Sequence, residues 1–216
     1  MIEGKIVYFE KPGRGNTEEV LCIVRERAKE LGIKSVVVTT ASGDTGVRAT
    51  EVLKDIKVVV VTLPTGFWKP NAQELIEENR QKIVANGGLI LTATPIFGGI
   101  NRPMQEKFHT HTIGVVIAHT LRLMGQGMKV AIEVSVMAAD AGLVRTDEDI
   151  IAVAGTAVGA DYAIVLKPVA SDNFFDLKVR EILCKPHYLS DSFPVWYNFY
   201  SPVFFAAFDA IPWLNR

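Results

Sequence analysis

Residues 39–46 carry three threonines, a serine, two glycines and an aspartate in the order Thr39, Thr40, Ala41, Ser42, Gly43, Asp44, Thr45, Gly46, between a run of valines and a stretch of helical period. Where a strand hands over to a helix, hydroxyls and backbone N–H groups that lack intrahelical partners converge on the positive end of the helix dipole, and a glycine lets the backbone approach a bound anion closely. The chemistry such a turn can do is to cradle a phosphate. The same residue types also make an ordinary helix cap, so the stretch alone fits either role.

Other constellations are weaker. Gly13 and Gly15 stand two apart, but position 18 is Glu rather than Gly and no Gly-Lys-Ser/Thr follows, so neither a dinucleotide fingerprint nor a Walker loop is present and the segment reads as a turn and cap. His109 and His111 are two apart and fall on different faces of a helix, and His119 and His187 are remote, so no metal site is expected. Asp140, among small residues at an apolar helix end, suits a hydrogen bond to a nearby loop or a polar partner for a ligand. There is no nucleophile elbow and no reactive-cysteine signature. No catalytic residue can be assigned, and any reaction would have to be carried by a cofactor.

The elements that must position these residues alternate between short β-branched runs and longer helical stretches, the pattern of an α/β sheet covered on both faces. Residues 5–9, 35–39, 57–61 and 89–92 are continuous apolar runs and are expected to form the sheet centre. A helix is predicted from Asn16-Thr17-Glu18-Glu19 to the Gly32 stop, with Val20, Leu21, Val24, Ala28 and Leu31 on its apolar face. A second is predicted over 44–55, and a third from Asn71, with Glu74 three residues on, to Asn86-Gly87. Beyond Pro103, Ile113, Ile117, Leu121 and Met124 share one face as far as Gly125. Another helix covers 128–141, closed by Gly142. Residues 150–154 and 162–166 read as strands whose short connection forbids a parallel crossover, so at least one edge strand is antiparallel.

With the strand and helix on either side, Thr40, Ser42, Gly43 and Thr45 resemble the effector-phosphate loop, Thr-x-Ser-Gly-x-Ser/Thr, of the C-terminal α/β domain of pyruvate kinase. The chain is more similar still to stand-alone archaeal and bacterial proteins built from that domain. The resemblance covers roughly residues 1–186 and includes Gly15 to Glu19, Met137 to Leu143 and Asn173 to Leu177. It implies a three-layer α/β/α sandwich, a mostly parallel sheet of order 3-2-1-4-5 with an antiparallel edge strand, and an association with FMN. Nothing resembles the catalytic barrel of pyruvate kinase, which this length could not hold as well, so a pyruvate kinase is not expected. The variable loop positions are Ala41 and Asp44 rather than a cation. That disfavours a sugar bisphosphate and leaves room for a single phosphate ester, with Asp44 turned outward in the first helical turn.

A flavin also needs an apolar slot beyond the C-terminal strand ends. Three loops are expected there: residues 11–16, 64–70 and 94–99. Phe67, Trp68 and Phe97 are candidates to stack on the ring and Lys11 or Arg14 to face the phosphate or the reduced flavin; Gly66 shapes the same loop, and each aromatic serves equally well as a packed loop residue. The expected cofactor site is therefore Thr40, Ala41, Ser42, Gly43, Asp44 and Thr45 with Lys11, Gly66, Phe67 and Phe97. Redox catalysis with FMN is one outcome, and a non-catalytic sensor of a phosphorylated metabolite is the other.

Composition sets the outer bounds. With 216 residues, 49% of them hydrophobic, there is material for one full core, expected over 1–190. A balance of 23 basic against 24 acidic residues, with no basic stripe, argues against a nucleic-acid partner. Two cysteines, an N-terminus unlike a signal peptide and the lack of any long apolar run lead to an expected cytoplasmic location with no membrane span. Residues 191–216 hold nine of the 19 aromatics and are expected to pack on the body or to mediate homo-oligomerisation, membrane-surface docking being the rival.

Overall fold

The computed structural model describes residues 1 and 3–187; the aromatic extension over 191–216 lies outside the described residues. Among the described residues seven strands form one sheet: β1 (Val7–Phe9), β2 (Ser35–Thr39), β3 (Lys57–Thr62), β4 (Leu89–Thr92), β5 (Ile150–Ala154), β6 (Tyr162–Lys167) and β7 (Lys178–Pro186). The spatial order is β1-β7-β6-β5-β2-β3-β4. Only β6 runs against the rest, pairing antiparallel with both β5 and β7. The order 3-2-1-4-5 with an antiparallel fifth strand is present as β4-β3-β2-β5-β6, counted from Ser35.

Two strands extend that arrangement past β6, so the antiparallel strand lies inside the sheet rather than at its rim. This corrects the expected sheet centre: β5 is the middle strand, and the apolar runs at 5–9 and 89–92 form the two edges, β1 and β4. Strand β7 escapes the sequence pattern because Lys178, Arg180, Glu181 and Lys185 interrupt it, and two register shifts against β6 break the period of two.

The valines of β2 and β3 are buried on both faces, as parallel strands covered by helices require. Val36 and Val38 pack under α1 (Thr17–Leu31), α2 (Asp44–Val52) and α3 (Glu77–Ala85), while Val37 packs under α5 (Ile113–Arg122) and α6 (Gln126–Asp140). Val37 pairs with Val59 on one side and Ala152 on the other. The result is three layers with an apolar core on each side of the sheet. A further helix, α4 (Asn101–Phe108), precedes α5.

Helix α1 ends at Gly32, as expected, in the left-handed conformation that closes a helix. Its start differs: Asn16 makes no side-chain cap and instead donates from Nδ2 to the Lys11 carbonyl at 2.7 Å, and the Thr17 hydroxyl accepts the N–H of Ala160 at 3.0 Å. Helix α3 begins at Glu77, six residues later than expected. Asn71 is left-handed, Gln73 Oε1 accepts the Leu75 N–H, and Glu74 hydrogen-bonds the backbone at Trp68 rather than boxing a helix end. Helices α4 and α5 are separated at left-handed His109, and Thr112 caps α5. Of the face read from 113, 117, 121 and 124, Ile117 and Leu121 reach the core while Ile113 and Met124 are exposed.

Candidate functional site

A cavity of about 250 Å³ opens beyond the C-terminal ends of the strands, where the loops after β2, β3, β4 and β5 meet the first three turns of α6. In an open α/β sheet the loops after neighbouring strands diverge where the strand order reverses, which leaves a crevice. Here the chain goes from β2 outward to β3 and β4, and from β5 the other way to β6 and β7, so the reversal lies between β2 and β5. The loops after β2 and β5 both line the cavity.

One wall is the turn over 40–45. Thr40 Oγ1 accepts the Gly43 N–H at 3.0 Å, and Ser42 Oγ takes a long 3.5 Å contact from the Asp44 N–H. Each hydroxyl keeps its own hydrogen for a ligand oxygen. Gly43 caps α2 with φ 104°, and a Cβ there would sit 2.5 Å from Asn79 Cβ and 2.8 Å from Leu75 Cδ1; only glycine fits both the backbone conformation and the space. Asn79 Nδ2 donates to the Ser42 carbonyl at 3.1 Å, and the Ile76 N–H donates to the same carbonyl at 3.0 Å. The segment before α3 thus holds the turn in place, which explains why it is not helical.

The opposite wall comes from α6 and the loop after β5. Lys129 and Glu133, one helical turn apart, form a buried ion pair, and Glu133 Oε1 accepts the Phe97 N–H at 3.0 Å. Burial lowers the pKa of Lys129, opposed by the charge and hydrogen bond of Glu133. Arg122 donates to Gln126 Oε1 at 2.8 Å at the same edge. Arg14 approaches from the loop after β1 and pairs with Asp44 at 2.9 Å. Among the described residues, the charged side chains that line the cavity are Arg14, Arg122 and Lys129 against Asp44 and Glu133, an excess of one positive charge. Apolar surface comes from Phe67, Trp68, Val130 and Met137. The whole can accept a small anion joined to an apolar body.

Beneath the mouth, Asp161 is fully buried and ties two loops together. Its Oδ2 accepts the Gly13 N–H at 2.8 Å and the Thr156 N–H at 3.2 Å, while Oδ1 has no hydrogen-bond partner among the described residues. Desolvation raises its pKa, partly offset by those N–H donors and by the nearby Thr156 hydroxyl.

The match to known proteins is to the family of the pyruvate kinase alpha/beta domain, whose model covers residues 18–166. The chain belongs to that family. Among solved structures, pyruvate kinase of Cryptosporidium parvum is similar at 15% identity and a TM-score of 0.36, over 69% of this chain and 22% of its own. A Cryptosporidium parvum pyruvate kinase in complex with ADP is similar at 18% identity and a TM-score of 0.35, over 76% of this chain and 23% of its own. An O-ureido-L-serine synthase is similar at 20% identity and a TM-score of 0.28, over 44% and 30%. The chain therefore spans less than a quarter of those pyruvate kinases.

In this member of the pyruvate kinase alpha/beta domain family, Thr40, Ala41, Ser42, Asp44, Thr45 and Phe67 of the expected site line the cavity, and Gly43 shapes it from behind. Gly66 shapes the loop after β3: its φ is 84° and its N–H donates to the Ala72 carbonyl at 2.7 Å. Two of the expected residues stand apart from the cavity lining. Phe97 is a core residue, edge-on to Phe174 at 5.5 Å, and does not line the cavity. Lys11 is exposed outside it, and Arg14 is the cation of that loop that reaches the rim. Asp140 accepts the Ser171 N–H at 2.8 Å, the structural alternative of the two considered.

The sequence reading missed Lys129, Glu133, Arg122 and the loop over 155–159. The only signal for the ion pair was a Lys and a Glu spaced i,i+4 in a helix otherwise small and apolar. Among the described residues no group of three or more His, Cys, Asp or Glu gathers as a metal site, and no helix is long and apolar enough to cross a membrane.

Proposed function

We infer that this crevice binds FMN, its phosphate on the turn over 40–45 and its ring against Phe67, Trp68 and the apolar side chains of α6. The observation that carries this reading is the junction, in one cavity, of a hydroxyl-lined helix start with an excess of positive charge and a part-apolar wall. Such a site matches an anion joined to a flat apolar body. Ser42, Thr45 and the free hydrogen of Thr40 would meet phosphate oxygens, Arg14 would add charge at the rim, and Lys129 and Arg122 would face the polar edge of the ring. Bound FMN would supply hydride or single-electron transfer; the protein's part would be to bind, orient and exclude water.

A second reading is favoured by the size of the cavity. About 250 Å³ lies below the roughly 300–1,000 Å³ usual for sites of drug-sized ligands, so the FMN reading leaves part of the ring in the open mouth, whereas a smaller phosphorylated metabolite would be enclosed. In that case the chain is a sensor rather than a redox protein. The test is an absorption spectrum of the freshly purified protein from about 300 to 550 nm, with mass spectrometry of any small molecule released by denaturation and titration with FMN. A flavin band, or saturable FMN binding lost in Ser42→Ala/Thr45→Ala, is the expected result. A colourless protein that ignores FMN but releases another phosphate ester would replace this reading with the sensor.

A further inference from the structure

Seven of the 16 large apolar side chains that stand exposed fall within residues 100–124, a concentration on α4 and α5 that no other part of the described chain shows. On α5, Ile117 and Leu121 already pack inward on the core, yet Ile113 and Leu123 on the outer side are 76% and 83% exposed and Val116 lies between them. These three fall on one outward stripe, at spacings of three and seven. On α4, Met104 and Phe108 add a second exposed pair one turn apart. A helix that is apolar on both sides calls for cover on both sides.

The end of β7 shows what lies near enough to provide that cover. Lys185 Nζ donates to the Met124 carbonyl at 3.0 Å, and the Tyr162 hydroxyl donates to the same oxygen at 3.0 Å. The chain therefore passes within a side chain's length of the end of α5 just before residue 188. Residues 188–216 follow, 29 residues with ten aromatics and only Asp191, Asp209 and Arg216 as charges, a net of −1. The surface over 100–124 carries Arg102, Lys107 and Arg122 against Glu106, a net of +2. At about 1.5 Å per residue even a wholly helical segment of that length reaches about 40 Å, beyond the roughly 12–15 Å spanned by each of the two helices.

We propose that residues 188–216 fold back over the outer face of α4 and α5 of the same molecule, their aromatics covering Phe108, Ile113, Val116 and Leu123. The proposal rests on this juxtaposition and is independent of any ligand. Proximity of the exit point to the bare face, complementary sign of charge and sufficient length all favour the chain's own segment over a separate partner.

The experiment uses the full chain with Phe204→Ser, Phe208→Ser and Trp213→Ser combined, compared with the unsubstituted protein by hydrogen exchange and by chymotrypsin cleavage within 188–216. The expected result is amide exchange in α5 faster by on the order of tenfold, and tail cleavage faster by a similar factor, with exchange in α3 unchanged. The converse variant, Ile113→Glu/Leu123→Glu, alters only exposed side chains and should speed tail cleavage equally, while Val84→Glu on exposed α3 should not. Unchanged exchange and cleavage would overturn the proposal. So would protection that disappears on dilution, which would assign the cover to a second copy, or protection that appears only with vesicles of phosphatidylcholine and phosphatidylserine, which would assign the face to a membrane surface.

Discussion

Arg14 Nη2 lies 2.9 Å from Asp44 Oδ2 at the rim of the cavity, so the loop after β1 is tied to the first turn of α2. Both side chains are half exposed, and such a pair contributes little to stability. Its position matters more than its strength, because Asp44 occupies the cation that a phosphate on the same turn would use. Asp44→Asn should therefore tighten FMN several-fold, while Arg14→Ala should weaken it by about tenfold and flatten its dependence on salt. Fluorescence titration of FMN at two ionic strengths would read both. Weaker binding in Asp44→Asn would show that the acid supports the turn rather than opposing the ligand.

The turn itself separates shape from binding. Gly43→Ala forces a side chain into φ 104° and into contact with Asn79 and Leu75, so a cost of about 2–5 kcal/mol is expected from strain and overpacking together. Ser42→Ala and Thr45→Ala remove hydroxyls that bear little load in the fold, and each should weaken FMN by on the order of tenfold while leaving unfolding nearly unchanged. Urea melts alongside ligand titrations would distinguish the two classes. Equal loss of stability in all three variants would mean that the hydroxyls serve the fold.

Lys129 and Glu133 are expected to respond unequally. Lys129→Met leaves a carboxylate buried without its cation and should cost about 3–5 kcal/mol. Glu133→Gln keeps an acceptor for the Phe97 N–H, and Lys129, whose pKa burial already lowers, can shed its proton; the cost should be smaller. The double variant should recover most of the loss, since the pair is then removed together. Denaturant midpoints of the four proteins make the cycle, and purely additive losses would show that the two charges act separately.

These three cases also show which parts of the site the sequence could carry. The turn over 40–45 was legible because local chemistry specifies it: hydroxyls, one glycine and a helix start lie within six residues. The valine runs of β2 and β3 were legible because burial on both faces leaves no polar positions to confuse the pattern. The remainder depended on contacts across the chain. Asn71 to Ile76 looks like a helix start and is instead held against the Ser42 carbonyl, 34 residues back. Strand β7 pairs its charged residues with partners such as Arg27, which makes a two-pronged bond to Glu181, and that reads as surface until the fold brings them together. Phe97 and Lys11 belong to loops beside the cavity, but loop membership does not fix the direction of a side chain: the Phe97 ring packs edge-on to Phe174.

Asp161 supplies a dependence on pH whose sign follows from its surroundings. Burial raises the pKa of this carboxyl above its ordinary value near 3.8, so over the interval between the unfolded and folded pKa values the folded state holds the extra proton. Stability from this group is then fully present below the unfolded pKa and is lost as pH rises through the folded one. Asp147 and Glu18, held low by Arg145 and Arg48, act in the opposite sense and gain as pH rises. A single melt therefore mixes the two, and the difference between the unsubstituted protein and Asp161→Asn isolates the buried group. An asparagine keeps an acceptor for the Gly13 and Thr156 N–H groups and can turn its amide toward the Thr156 hydroxyl. It should be less stable than, or equal to, the aspartate near pH 4 and more stable by about 1 kcal/mol at pH 7. Urea unfolding of both proteins from pH 4 to pH 8 measures this difference. A gap that moves in favour of the aspartate as pH rises would mean that the carboxylate form is the one the Gly13 and Thr156 donors hold.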